Sequence, residues 1–147
     1  MAVGAAGTLL TSSDGSTWVA ATSGTTADLR AAAYRAATTT TITIPTTVTT
    51  TTPSAYVVVG AGGVVLTSSD AVTWTAQTVS PAADLLAVRP IYSQFLAVGV
   101  GGAVFNSQDG TNWTAQTSGT ASALYGLTHA QGQFVAVGQA GTSLFSR

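Results

Sequence analysis

Residues 97–113 read AVGVGGAVFNSQDGTNW, and nearly the same line occurs at 2–18 (AVGAAGTLLTSSDGSTW) and at 58–74 (VVGAGGVVLTSSDAVTW). A shorter copy, AVGQAGTSLFSR, occupies residues 136–147. Successive copies lie 39 residues apart, except that a 17-residue insert separates the first from the second. A fixed period of this size is typical of repeat architectures, in which one unit buries its apolar face by stacking on the next.

The third repeat has the pattern of four short strands. Apolar residues at 84–88 and 95–99 predict two strands joined by a turn around 90–94, and a tight turn at 100–102 leads into a third strand at 103–106. After a turn at 107–110, alternating residues predict a fourth strand at 111–116. Gly- and Asp-rich turns without helical periodicity indicate antiparallel meanders, and continuous apolar runs indicate strands buried on both faces. The pattern predicts an all-β fold of β-propeller blades.

The whole chain then contains 3, 4, 4 and 3 strands, or about 3.5 four-stranded antiparallel repeats of 39 residues in a single domain, 1–147. The predicted repeats are about 1–27, 28–83, 84–122 and 123–147. Because propellers typically close with about four to eight blades, we expect oligomerisation to complete the ring. Two copies would form seven four-stranded blades or eight sheets with thinner terminal blades, and a piece of a longer chain is a further interpretation.

Composition limits the classes of partner. Only 6% of the residues are charged, against roughly 25% in ordinary soluble domains, and the formal net charge is −1. Low net charge gives little repulsion between copies, which favours a homo-oligomer or a larger protein assembly. The scarcity of Lys and Arg argues against nucleic acid, because neutralising phosphates requires clustered cations.

The same composition limits cofactors and membrane contacts. The absence of cysteine excludes disulfides and thiolate zinc sites, and we expect no cofactor. The longest apolar run, Val57 to Leu66, is too short to span a bilayer, so we expect no membrane insertion. The N-terminal MAVGAAGTLL is in register with the repeat and has no basic region, which indicates structure and not a signal peptide.

Three turns share the form S-x-D-[GA]-x-[TN]-W. Their defining residues are Ser12, Asp14 and Trp18; Ser68, Asp70 and Trp74; and Ser107, Asp109 and Trp113. This motif resembles the Asp-box of sialidase-type β-propeller repeats, usually written S-x-D-x-G-x-T-W. It is one residue shorter here, as in photosystem-assembly-factor-like repeats and those of many bacterial and phage proteins. The resemblance covers essentially the whole chain except the insert and implies a propeller of Asp-box (BNR-like) repeats.

The chemistry of the box favours a structural role. The Asp carboxylate can accept backbone N–H bonds, Gly relieves backbone strain, and Trp buries a large ring under the turn. Ala71 replaces that Gly in the second box. Metal binding or catalysis by Asp14, Asp70 and Asp109 is the less favoured interpretation, because in Asp-box families these aspartates lie away from the active site. The chain also lacks the Glu of a sialidase and spreads its box aspartates one per box, so we expect no enzyme.

The insert, TTTTITIPTTVTTTTPSA, replaces the short turn between the first two strands of the second repeat. Its β-branched residues favour a projecting β-hairpin over a Thr-rich spacer, which stays the alternative. This arm, within residues 38–54, should lie at the same end of the sheets as the Asp-boxes. An isolated hairpin is marginal in water, so we expect it to bind a neighbouring subunit or a sheet edge. The candidate interaction residues are Thr41, Ile42, Thr43, Ile44, Pro45 and Val48.

Few charged residues, and a single histidine, remain outside these motifs. His129 falls in the predicted turn between the first two strands of the last repeat, without a Ser or Cys nucleophile motif, and is interpreted as a turn residue. Asp28 and Asp84 occupy equivalent positions at strand entries and are expected to contact Arg30 or Arg89. None of these residues predicts a catalytic site.

The sequence thus predicts a non-catalytic structural, assembly or recognition module, exposed on a virion or cell exterior and self-associating through incomplete blades and the Thr-rich arm. A lectin-like propeller is the alternative, binding a glycan through loops such as 5–7, 61–63 and 117–121. These loops are small and poor in aromatic residues, which weakens that interpretation. An assembly factor for a larger protein complex is the second alternative.

Overall fold

The computed structural model describes residues 1–146, which form an all-β protein of several antiparallel sheets. Sheet I contains β1 (Ala2–Val3), β2 (Leu9–Thr11) and β3 (Val19–Ala20). Sheet II contains β4 (Leu29–Arg35), β7 (Ala55–Gly60), β8 (Val64–Ser68) and β9 (Thr75–Thr78), while β5 (Thr38–Thr43) and β6 (Thr47–Thr52) pair as a separate hairpin. Sheet III contains β10 (Leu85–Ile91), β11 (Gln94–Gly99), β12 (Val104–Ser107) and β13 (Thr114–Gln116). Sheet IV contains β14 (Leu124–Ala130), β15 (Gln133–Gly138) and β16 (Ser143–Phe145).

The sheets stack in chain order, each as an antiparallel meander whose first strand lies against the first strand of a neighbouring sheet. Strand β4 contacts β1 on one side and β10 on the other, and β10 also contacts β14. The grouping of the strands as 3, 4, 4 and 3 is that expected from the sequence. The front face of a sheet is defined as the one toward the preceding sheet, and the back face as the one toward the following sheet.

Three apolar clusters fill the three spaces between successive sheets. Between sheets I and II, Leu9 packs with Val58 and Leu66. The largest cluster lies between sheets II and III, with Val57, Val59 and Val65 from one side and Phe95, Ala97 and Phe105 from the other. Val98 and Leu96 of sheet III pack with Leu124, Leu127 and Ala136 of sheet IV. Adjacent residues of one strand therefore enter different clusters, because side chains alternate between the faces of a sheet.

A glycine at the end of the second strand of each full repeat allows neighbouring backbones to approach. A Cβ atom on Gly99 would collide with the carbonyl oxygen of Asp84, and Gly60 and Gly138 stand in the same position against Asp28 and Ala123. The next residue donates its N–H to that carbonyl, as Val100 does to Asp84 at 2.9 Å. A backbone contact that only glycine permits thus recurs with the period of 39 residues.

Several predicted boundaries in sheets III and IV were wrong. Pro90 belongs to β10, opposite Phe95, because β10 is an edge strand, where proline removes no ladder bond. Residues 111–113 belong to the box turn and not to the fourth strand. His129 lies within β14, opposite Phe134, because the turn is reduced to Gln131 and Gly132, both at positive φ.

Among the residues that the structure describes, no helix is long and apolar enough to cross a membrane.

Candidate functional site

The Asp-box of sheet III shows how the motif holds its turn. Ser107 Oγ donates to Asp109 Oδ1 at 3.0 Å and accepts the N–H of Gly110 at 2.8 Å. The same carboxylate oxygen accepts the N–H groups of Thr111 at 2.8 Å and Asn112 at 2.7 Å. Each polar atom at the centre of the turn therefore serves the backbone of the turn itself.

The other two boxes repeat this geometry closely. Asp14 Oδ1 accepts the N–H groups of Ser16 and Thr17 at 2.8 Å, and Asp70 Oδ1 accepts those of Val72 and Thr73 at 2.8 Å. Ala71 takes the place of the turn glycine at φ 61°, and its N–H donates to Ser68 Oγ at 2.9 Å. The substitution leaves the turn unchanged, although a non-glycine residue in the left-handed region costs about 1–2 kcal/mol.

These hydrogen bonds keep the box carboxylates ionised. The N–H groups of Thr17 and Ser16 lower the pKa of Asp14 from 3.8 to about 2, and those of Thr73 and Val72 lower the pKa of Asp70 equally. For Asp109, burial raises the pKa, but the hydrogen bonds led by those from Asn112 outweigh it and also lower the pKa to about 2. A carboxylate that accepts several N–H groups favours its charged form. Such a group is poorly suited to act as a general acid or base near neutral pH.

The box tryptophans differ in their surroundings. Each indole N–H donates to the carbonyl of its own turn, from Trp18 to Gly15, Trp74 to Ala71 and Trp113 to Gly110. Trp74 packs against the cluster between sheets I and II, and Trp113 against that between sheets II and III. Trp18 is 43% exposed, so the expectation that every box buries its ring is wrong for the first box. Among the described residues, no sheet packs on the front face of sheet I, and none covers Trp18.

The insert is an ordered β-hairpin, as predicted, with Thr38 opposite Thr52 and Thr43 opposite Thr47. Ile42 and Val48 are paired on one face, Thr41 and Thr43 point to the other, and Ile44 and Pro45 lie in the turn. The apolar tip is solvated: Ile42 is 58%, Ile44 84% and Val48 56% exposed. Such a tip on a two-stranded ribbon is typical of a contact surface.

The base of the arm lies beside the Asp-boxes, as expected. A cavity of about 430 Å³ is lined by Thr52 and Pro53 from the arm and by Ser68 and Asp109 from two boxes. Arg35, three residues before the first strand of the arm, also lines it. The arm and the boxes therefore share one end of the sheets.

Arg35 is a buried cation that the sequence did not single out. Its Nη1 donates to the carbonyls of Ser93 at 2.8 Å and Gln108 at 2.7 Å, and the guanidinium carbon lies 4.7 Å from the centre of the Phe95 ring. Burial lowers the pKa of Arg35, while the Asp109 charge opposes that shift. Arg35 thus ties sheet II to the box of sheet III. The chain has only four Lys and Arg residues, and Arg35 lies three residues before the insert. This position is the sequence signal that could have identified it.

The strand-entry aspartates also connect sheets. Asp84 Oδ2 lies 3.3 Å from Arg30 Nη2 of sheet II, and its Oδ1 accepts the N–H of Gly62 at 2.8 Å. Asp28 Oδ1 accepts the N–H of Ala6 at 3.0 Å. The ion pair of Asp84 is therefore formed with Arg30 and not Arg89. Within residues 1–146, no three His, Cys, Asp or Glu side chains are grouped closely enough to hold a metal ion.

No protein-family model, curated protein or solved structure matches this chain. The geometry of the boxes, the arm and the sheet faces is therefore the basis of the functional interpretation. The two surfaces that differ most from the repeat pattern are the front face of sheet I and the back face of sheet IV. Both carry apolar side chains at positions that are buried in the sheets between them.

Proposed function

We propose that the chain is a non-catalytic, self-associating module of Asp-box propeller blades. In this assembly the front face of sheet I of one copy packs on the back face of sheet IV of another. The residues of these two faces, and their equivalents inside the molecule, support the proposal.

Val137 provides the observation that carries it. The residue one period earlier, Val98, and the one two periods earlier, Val59, are both fully buried between sheets. Val137 occupies the same register on the back face of sheet IV and is 49% exposed. Phe145, on the same face, is 64% exposed. Covering a large apolar side chain contributes about 1.5–3 kcal/mol, so this face is stabilised by any partner that fits it.

The front face of sheet I is the matching surface. Ala2, Leu10 and Trp18 are the counterparts of Val58, Leu66 and Trp74, which pack against the back of sheet I. Ala2 and Trp18 are exposed and Leu10 is half-buried, whereas the counterparts Val58 and Leu66 are fully buried and Trp74 is half-buried. Each of the three spaces between sheets thus joins the back face of one sheet to the front face of the next. The two terminal faces are one front face and one back face, so they can pair in the same way.

Joining front to back is a heterologous contact, which closes a ring when the rotation allows. Two copies joined at both ends would place eight sheets around the ring, within the range of about four to eight blades in propellers. The scarcity of charge also suits association, because a net charge of −1 gives little repulsion between copies. We place the arm as a second contact, through Ile42, Ile44 and Val48.

The mass in solution tests this function. We expect a mass of about twice the 14.6 kDa of the chain by light scattering. Val137→Asp should give the monomer, because it places a charge in the middle of the contact while altering a side chain that the single copy leaves exposed. Val72→Asp is the matched control, since Val72 is 73% exposed in a box turn away from both faces, and it should retain the wild-type mass.

A wild-type chain that stays monomeric at high concentration would exclude the proposed function. Equal masses of the wild type and the Val137→Asp variant, both above the monomer, would exclude the proposed contact. Replacing Ile42, Ile44 and Val48 together by Thr tests the arm separately, because threonine keeps the strand preference and removes apolar surface. We expect that variant to dissociate at a higher protein concentration than the wild type, because its assembly is weaker.

A further inference from the structure

A groove of about 340 Å³ runs between sheets III and IV, separate from the two terminal faces. Its floor is apolar and includes Leu96, Val98, Val104, Phe134 and Ala136. Its rim is polar, with Gln94, Asn106 and Gln116. None of residues 1–146 fills it.

The corresponding space between sheets II and III is filled by an Asp-box. Gly110, at φ 83°, lies so close to sheet II that a Cβ atom would be 2.8 Å from Val57 Cγ2 and 3.6 Å from Thr67 Cγ2 and Phe95 Cε2. Trp113 packs against the same cluster. The box of sheet III thus covers three residues, Val57, Thr67 and Phe95, and buries its own glycine against them.

One period of 39 residues relates the filled space to the open groove. Val57 corresponds to Leu96, Thr67 to Asn106 and Phe95 to Phe134, all of which line the groove. The apolar or polar character of each position is retained. The groove therefore presents the surface on which an Asp-box turn rests elsewhere in the molecule.

Gln116 supplies an independent observation. One period earlier, Gln77 Nε2 donates to two carbonyls of the box on sheet III, Gly110 at 3.2 Å and Thr111 at 2.7 Å. Gln116 Nε2 instead donates to Asn106 Oδ1 of its own sheet at 3.0 Å, at an exposed position. A rotation of this side chain would direct the same donor toward a box turn lying in the groove.

The edge of β16 borders the groove and adds backbone hydrogen-bonding groups. Its counterparts β8 and β12 each pair with a strand on both sides, whereas within the described chain β16 pairs with β15 alone. An exposed strand edge can bind an extended segment through main-chain hydrogen bonds. Groove and edge are adjacent, since Leu144 and Ser146 belong to both.

We propose that this groove and the edge of β16 bind an extended segment of Asp-box chemistry: a Ser-x-Asp-Gly turn, a tryptophan and a short strand. The strand pairs with β16, the turn glycine rests on Leu96 and Phe134, the indole covers the apolar floor, and Gln116 donates to a turn carbonyl. The proposal does not depend on the proposed self-association, which uses the other face of sheet IV.

A peptide with the sequence of residues 107–116 (SQDGTNWTAQ) is the probe, labelled at its end and titrated with the 147-residue chain by fluorescence anisotropy. We expect saturable binding, weakened at least about tenfold when the peptide tryptophan is replaced by alanine, which corresponds to about 1.4 kcal/mol. Gln116→Ala in the chain should weaken binding several-fold. The matched control is Gln77→Ala, which removes the same donor at a position that the chain's own box already occupies, and it should leave the affinity unchanged.

Val137→Asp separates peptide binding from self-association. It should abolish self-association and leave peptide binding intact, because Val137 lies on the opposite face of sheet IV from the groove. Absence of saturable binding at roughly millimolar peptide would overturn the groove proposal while leaving the self-association result untouched. Equal binding of a scrambled peptide would show a non-selective strand edge and would also overturn it.

Discussion

The first and third Asp-boxes are nearly identical in hydrogen bonding and opposite in burial. In both, the Asp carboxylate accepts two backbone N–H groups at 2.7–2.8 Å and the Ser hydroxyl accepts a third. Gly110 is nevertheless buried against sheet II, whereas Gly15 has no atom within 4 Å of its Cβ position. The box therefore forms its turn without help from a neighbouring sheet, and the neighbour decides only whether the turn and its tryptophan are covered.

Replacing the two tryptophans by alanine should give the largest difference between these boxes in the free energy of unfolding. We expect Trp113→Ala to lower the free energy of unfolding by about 3 kcal/mol, because the ring packs in the cluster between sheets II and III. Trp18→Ala should cost about 1 kcal/mol or less in a monomeric background, because its ring is 43% exposed there.

Urea denaturation of both variants in the Val137→Asp background is the measurement, since that background keeps Trp18 out of any contact between copies. Equal losses for the two tryptophans would mean that the neighbouring sheet contributes little to burial. In the self-associated wild type, Trp18→Ala should additionally weaken the assembly.

Replacing the two turn glycines by alanine should give a smaller difference in the free energy of unfolding. Gly110→Ala introduces a Cβ 2.8 Å from Val57 at a positive φ, and overpacking added to backbone strain predicts a loss of about 2–4 kcal/mol. Gly15→Ala meets open space, so only the backbone strain applies, and we expect about 1–2 kcal/mol. Denaturation midpoints at equal protein concentration compare the two, and a larger effect at Gly15 would contradict the packing of the third box.

Acid should act on both boxes alike and so give the smallest difference. The folded pKa values of Asp14 and Asp109 are about 2, below the ordinary 3.8. A lowered folded pKa means that the carboxylates stabilise the fold above about pH 4 and lose that effect as the pH falls toward 2. Asp14→Asn and Asp109→Asn should each reduce the loss of thermal stability that occurs as the pH is lowered from about 4 to 2. A reduction confined to Asp109→Asn would show that the box depends on its neighbour.

This contrast explains how far the sequence could be interpreted. The spacing of Gly60, Gly99 and Gly138 predicted the sheets, because the same backbone contact recurs in the last three repeats. The box motif predicted its own hydrogen bonds, since they join residues within three positions of each other. Contacts between residues close together in the chain can be predicted from a short motif.

Features that depend on a neighbouring sheet were not predictable in the same way. Trp18 and Trp113 have the same local sequence pattern and different exposure, because only one has a sheet in front of it. For Asp84 the sequence left Arg30 and Arg89 open as partners, and the contact between two sheets selects Arg30, which lies 54 residues away in sequence. The groove beside Gln116 is formed by two sheets, whereas the equivalent space beside Gln77 is filled by a box, and the local sequence does not distinguish the two.

Site-specific cross-linking tests most directly whether the front face of sheet I in one copy packs on the back face of sheet IV in another. The chain has no cysteine, so Leu10→Cys on the front of sheet I and Ser143→Cys on the back of sheet IV each introduce a single thiol. A short bismaleimide should join the two variants into a covalent dimer when they are mixed, and should join neither variant to itself. Cross-linking within either variant alone, or none in the mixture, would contradict the front-to-back assembly.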